Sequence, residues 1–162
     1  MLEEVIILVT KSCRASLVQQ QYRVRYQDLN SHQTLHGGHL LHLVDDQVAE
    51  SAHRFGQQKV VTASIDRFDF IRPLTYGTSF TIYSFVSGAT QRALEVYVYV
   101  LTTAHQLVAE AFVTLISLTQ QPDWPQPQPE SRLEKIICAE YAQRYAANLT
   151  LRNQAAIRRT LL

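Results

Sequence analysis

An aspartate set among apolar residues of a helix, and a glycine pair at that helix's first turn, are the residues of this chain best suited to chemistry. From Gly37 to about Arg54 the apolar residues recur with helical period, and Gly56 stands where a C-cap belongs. With Gly38 at zero and about 100° per residue, Val48, Leu41, Ala52 and Ala49 fall at about 280°, 300°, 320° and 20°. Asp45 falls among them, while His39, Asp46, Glu50 and His53 fall between about 60° and 120°, on the polar face. A carboxylate on an oily face needs a partner or a purpose, because desolvation penalises its charged form. One reading is a cap or pair with a neighbouring backbone group; the other is a general base or nucleophile. Asp46 reads as a solvated surface acid beside His42, His53 or Glu50.

His36-Gly37-Gly38 opens the helix. Glycines there leave backbone N–H groups unshielded by a Cβ, where the helix dipole favours developing negative charge. That is oxyanion-hole chemistry, although a glycine pair also serves close packing of helix on sheet. Gly38 and Asp45 face the same way but lie about 10 Å apart along the axis. One helix cannot bring both to one carbonyl; two antiparallel helices of a symmetric dimer can, each supplying half of two equivalent sites.

The elements that must position these groups follow from period and punctuation. Leu17 to Tyr26 reads as a half-buried strand, with Tyr22, Val24 and Tyr26 on one side and Arg23 and Arg25 on the other. Residues 28–36 have loop composition. Four β-type runs, Val60–Phe70, Ser79–Ser87, Ala93–Thr102 and Leu107–Leu118, are separated by turn residues. Gln120 to Pro129 holds four prolines and predicts an extended connection that is neither strand nor helix. Ser131 and Glu134 then form a capping box for one last helix running through Tyr141 and Tyr145. Consecutive strands with short links imply an antiparallel sheet, and the early helix must pack on it, so the class is α+β. The boundaries read as an N-terminal extension over 1–16, the main domain over 17–120, a Pro-rich linker over 121–130 and a C-terminal helix over 131–162.

Composition narrows the function classes. The chain has 162 residues, 46% hydrophobic and only 18% charged, against roughly 25% charged in an average domain. A surface short of charge points to subunit contacts. A net charge of +1 gives no concentrated positive field for a phosphate backbone, so no nucleic-acid partner is expected. Cys13 and Cys138 make no metal-ligand spacing and read as reduced bystanders. No apolar run approaches the roughly 20 residues of a membrane span, and Val5–Val9 is too short for a signal-peptide core, so a soluble, cytoplasmic protein without a membrane partner is expected.

Asp28-Leu29-Asn30, His36-Gly37-Gly38, Leu40-Leu41 and Asp45 resemble the signature of hotdog-fold acyl-CoA thioesterases. Val60-Val61-Thr62-Ala63-Ser64-Ile65-Asp66, Phe70-Ile71-Arg72-Pro73 with Gly77, Leu94-Glu95-Val96 and Ala111-Phe112-Val113 extend the resemblance over roughly residues 17–130. It implies an antiparallel sheet wrapped around a central helix, with a C-terminal helical extension here. It also implies homodimers that stack as trimers of dimers, and hydrolysis of acyl-CoA to free acid and CoA. Asp45 matches the family's catalytic carboxylate, and Asn30 the asparagine that the other subunit contributes to place the thioester or water. Gly37 and Gly38 then supply the oxyanion donors. His36, Phe70, Arg72, Pro73, Thr90 and Arg92 are candidate substrate or CoA contacts. No metal or cofactor is implied, since a thioester is already activated and CoA enters as part of the substrate.

Two positions depart from the resemblance. Relatives carry a glycine and paired serines where this chain has Thr90-Gln91-Arg92-Ala93. Either Arg92 replaces hydroxyl contacts with a charge for a phosphate, or the turn no longer binds CoA in the usual way. His36 stands where many relatives have an aromatic. Three rival readings remain. His39, His42, Asp46 and His53, with His36 nearby, share spacing that suits a zinc site, on a polar face where solvated histidines are ordinary. A dehydratase of the same fold would need a catalytic His paired to an acid, a pattern with no match here. A non-catalytic acyl-CoA-binding dimer, sensor or scaffold, is the reading of a different class.

Overall fold

Residues 9–119 and 124–160 are described by a computed structural model of the chain. The described residues open on β1 (Thr10–Ser12), a 3-10 turn over Cys13–Ser16, and β2 (Val18–Arg23). A loop leads to the long helix α1 (Gly37–Gly56). Four strands follow: β3 (Val60–Phe70), β4 (Ser79–Ala89), β5 (Ala93–Thr102) and β6 (Leu107–Ser117). A short β7 (Gln126–Gln128) and the helices α2 (Arg132–Ala139) and α3 (Tyr141–Arg159) complete the chain. The main sheet is antiparallel in the order β2-β4-β5-β6-β3.

That order puts β2 and β3 at opposite edges, so α1, which joins them, must cross the whole sheet. Its 20 residues span about 30 Å, against about 19 Å for four inter-strand gaps. Leu94, Val96, Val98 and Val100 of β5 and Ala109, Ala111, Val113 and Leu115 of β6 point inward against Val44, Val48 and Phe55 of the helix. The outer face carries Phe85, Tyr97 and Phe112, which pack with Cys13 and Ile137 under α2. Glu95, only 3% exposed, stands on the same face and is held by Arg144 of α3 at 2.7 and 3.1 Å and by Ser87 Oγ at 2.8 Å. With both faces covered, β5 is buried from Leu94 to Val98 without alternation. This is the hotdog arrangement that the resemblance implies.

Several elements differ from the sequence expectation. The first strand ends at Arg23; a 3-10 turn over Tyr26–Asp28 follows and leaves Tyr26 77% exposed, away from Tyr22 and Val24. Gln57, not Gly56, takes the left-handed cap at φ 52°. The last helix is two, because the chain breaks at Glu140. The capping box of Ser131 and Glu134 forms as expected. Gln126–Gln128 in the proline-rich stretch is a strand after all, parallel to β1. Gln126 N–H donates to Val9 O at 2.8 Å, and in so short an edge pairing Pro127 needs no N–H of its own. Expectations for residues 1–8 and 120–123 lie outside the described residues.

Candidate active site

Asn30 sits in the loop before α1 because its side chain makes that loop. Its Oδ1 accepts from the backbone N–H of His32 (2.9 Å) and Thr34 (3.2 Å), and its Nδ2 donates to Thr34 Oγ1 (3.0 Å). Backbone bonds from Leu35 N–H to Leu74 O and from His36 N–H to Asp28 O dock the loop. Asp28 itself is buried. Burial pushes its carboxyl pKa up, but the Arg25 backbone N–H, the Arg25 guanidinium and His39 outweigh that and leave it below the usual carboxylate value.

The loop delivers the chain to the start of α1. His36 is its N-cap: the ring Nδ1 accepts from Gly38 N–H at 3.0 Å. The Gly38 donor is therefore engaged, whereas no partner for Gly37 N–H is found among the described residues. A Cβ on Gly37 would meet the Phe70 ring at 3.3 Å, so glycine lets that ring close over the helix start. Phe70 is 58% exposed and packs on Phe68 at 4.5 Å between ring centres, so it stands outside the core. Asn30, Thr34, Gly37, Phe70, Arg72 and Pro73 line one cleft of about 300 Å³ with mixed polar and apolar walls.

Asp45 is not in that cleft. It lies two turns along α1, where Thr62 Oγ1 of β3 donates to its Oδ1 at 2.8 Å. The expectation of a buried carboxylate is corrected: Asp45 is half-buried, Leu41 likewise, and Ala49 is exposed. The face turned to the sheet carries Leu40, Val44, Gln47, Val48, Ser51, Ala52 and Phe55. The apolar arc of the sequence thus covers two faces, one on the core and one open beside the unpaired edge of β3. Gln47 and Ser51 were not expected inside. Gln47 Nε2 donates to Val18 O, Ile82 O and Ser84 Oγ at 3.0–3.2 Å, and Ser51 Oγ lies 2.6 Å from Ser84 Oγ. Their positions on the wheel, beside Val44 and Val48, were the available signal. Thr62 was legible only as part of the Val60–Asp66 motif, since nothing in spacing pairs it with Asp45.

Thr90 and Arg92 stand in the β4–β5 turn, outside the cleft. Thr90 closes the turn: its N–H donates to Ala93 O (2.8 Å), its Oγ1 accepts from Ala93 N–H (3.1 Å), and its carbonyl accepts from the Trp124 indole (2.7 Å). Arg92 has an exposed side chain. The histidines do not converge. His39 faces Asp28 at 3.7 Å and exposed His42 faces Asp46 at 3.6 Å, and no three metal-ligating side chains cluster among the described residues. Arg152 of α3 pairs with Asp66 at 2.8 Å and donates to Ser64 Oγ at 2.8 Å. No helix among the described residues is long and apolar enough to cross a membrane.

The wrapped helix and the cleft at its N-terminus define a protein of the hotdog class. Residues 32–109 match the thioesterase superfamily. An uncharacterised acyl-CoA thioester hydrolase of Bacillus subtilis is 34% identical over 114 residues, which are 67% of this chain and 66% of that protein. An acyl-CoA hydrolase from Staphylococcus aureus, solved with butyryl coenzyme A, coenzyme A and coenzyme A disulfide, is 30% identical. It superposes with a TM-score of 0.87 over 91% of this chain and 93% of that one. Variants of that hydrolase with an aspartate, an asparagine or a threonine changed to alanine have also been solved. A hexameric acyl-CoA thioesterase superposes with a TM-score of 0.82 at 27% identity, over 88% of this chain and 97% of that one. The chain belongs to the thioesterase superfamily, among its hotdog-fold acyl-CoA thioesterases.

Proposed function

We propose that the protein hydrolyses acyl-CoA to a free acid and CoA at two equivalent sites, each shared by two copies of the chain. The observation that carries this reading is the division of the candidate residues. Asn30 and the open Gly37 amide line one cleft, while Asp45 with Thr62 faces outward beside the unpaired β3 edge. Antiparallel association of two such edges sets each Asp45 against the other copy's cleft. The S. aureus variants support the assignment: the substituted asparagine, aspartate and threonine are spaced fifteen and seventeen residues apart, as Asn30, Asp45 and Thr62 are.

In this mechanism the thioester carbonyl accepts from Gly37 N–H, and from Gly38 N–H once the His36 ring swings off it. Asn30 orients the carbonyl or the water. Asp45, held by Thr62, either takes a proton from the attacking water or adds to the carbonyl to form an anhydride that water then opens. In both routes the C–S bond breaks and CoA leaves as a thiolate that is then protonated. Coenzyme A enters as part of the substrate and leaves as product; no other cofactor takes part. Phe70, Arg72 and Pro73 border the entering thioester, and Arg92 is the candidate contact for a CoA phosphate. Three dimers assemble into a hexamer in the cytoplasm, without a membrane or nucleic-acid partner.

Subunit complementation tests the shared site. Asp45→Asn and Asn30→Ala are each expected to abolish most thiol release from acyl-CoA substrates of short to long chain. When the two variants are unfolded together and refolded at equal amounts, half the dimers are mixed, and one of their two sites carries both native residues. Activity should return to about a quarter of wild type. Activity no higher than the mean of the two variants would overturn the shared site. A wild type that releases no CoA would overturn hydrolysis and leave the acyl-CoA-binding dimer.

A further inference from the structure

We propose that Cys13 and Cys138 form a thiol–disulfide exchange site that staples the C-terminal helices to the N-terminal segment. The two cysteines are the only ones in the chain and are 125 positions apart, yet their sulfurs lie 3.6 Å from each other. Both are free thiols. Their surroundings differ in the way an exchange site requires. Cys13 is 0% exposed in its 3-10 turn, where its carbonyl accepts from Ser16 Oγ at 2.6 Å and Ser16 Oγ in turn accepts from Val86 N–H at 2.9 Å. Cys138 is partly buried, in the last turn of α2 just before the break at Glu140. Cys13 is held fast and fully shielded; Cys138 is the more accessible of the two, on a short helix.

A disulfide needs its sulfurs about 2.05 Å apart, so the pair must close by about 1.5 Å. A small shift of the eight-residue α2 over the Phe85–Tyr97–Phe112 cluster supplies that movement. The two thiols share one hydrogen bond in which either S–H can donate. Cys138, the more accessible of the two, is the thiol that an external disulfide reaches, and Cys13, shielded behind it, is the resolving thiol. The oxidant is a low-molecular-weight disulfide. Cys138 attacks one of its sulfurs and expels the first small thiolate, leaving a mixed disulfide. Cys13 loses its proton and attacks the Cys138 sulfur, expelling the second. Two protein thiols are oxidised to one disulfide, and the external disulfide is reduced to two thiols.

The site lies apart from the proposed hydrolytic centre. Lys11, two residues before Cys13, donates to the carbonyls of Arg54 and Phe55 at the C-terminal end of α1, whereas the cleft is at its N-terminal end. The inference therefore stands independently of the proposed function.

The test uses the full-length, fully reduced protein incubated with glutathione disulfide, reading free thiols in denaturant, intact mass and mobility on a non-reducing gel. The expected result is a fall from two thiols to none, a mass lower by two hydrogens with no glutathione retained, and a single-chain band. The thermal midpoint should rise by about 5 °C or more. Cys13→Ser should stop at one retained glutathione, and Cys138→Ser should react far more slowly through the buried Cys13. Two thiols that stay free, a wild type that stops at a glutathione adduct, or a bond between chains would each overturn the proposal.

Discussion

The hydroxyl of Thr62 is the side-chain partner of Asp45, and at this scale the candidate chemistry is a matter of orientation. Thr62 touches the carboxylate rather than the substrate, so it is a positioning residue. Thr62→Val should lower kcat about tenfold with KM nearly unchanged, and Thr62→Ser should restore most of it, as read by steady-state thiol release. His36 and Asn30 act on the backbone that presents the Gly37 amide. Asp28 anchors the same loop, with its pKa depressed in the folded state by Arg25 and His39 despite its burial. A depressed acid stabilises the fold above its unfolded value and loses that contribution as pH falls through its folded value. The stability gap between wild type and Asp28→Asn should therefore be full at pH 6. It should shrink as pH falls below about 3.8, which denaturant melts at stepped pH would record.

Among the elements, the sheet is held from two sides by different physics. The inner face packs on α1 through aliphatic side chains, whereas the outer face anchors α3 through a buried charge. Glu95 is nearly inaccessible and, among the described residues, has no cation but Arg144, whose guanidinium also donates to Ile137 O and lies over the Phe112 ring. Arg144→Met strands that carboxylate and should cost about 3 kcal/mol in a reversible melt. The double change Glu95→Leu with Arg144→Met should regain most of the loss, because no buried charge is left unpaired. The tight seat of the Tyr141 ring on Gly88, where an added Cβ would come within 2.2–2.4 Å of the ring, keeps the same helix close to β4.

Among the described residues, one face of α1 is left uncovered and β3 has no strand paired on its outer side. Gly38, Leu41, Asp45 and Ala49 run along the open side of α1, next to exposed Val61 and Thr62 of β3. In the proposed dimer this strip meets its own copy, so Ala49→Arg puts an unpaired charge into each half of the interface. It should shift the chain toward monomer in sedimentation and remove thiol release together, although Ala49 lies away from the cleft. Retention of activity by a monomer would contradict the shared site at this scale.

Much of this was legible in the residues themselves. Period marked out α1 and the four long strands, prolines and turn residues marked their ends, and Ser131 with Glu134 fixed the start of α2. The motif around Asn30, Gly37 and Asp45 pointed to the family, because glycine pairs, caps and alternation act between near neighbours in the chain. What spacing could not settle were contacts between distant segments. Only the folded chain decided that the apolar arc of α1 serves two faces, leaving Asp45 and Ala49 open. Only it placed Thr62 on Asp45, Arg152 on Asp66 and Cys13 beside Cys138, and put a strand into the proline-rich stretch. Periodicity tells which side of a helix is oily; what lies across from that side is set by strand order, and strand order is a property of the assembled sheet.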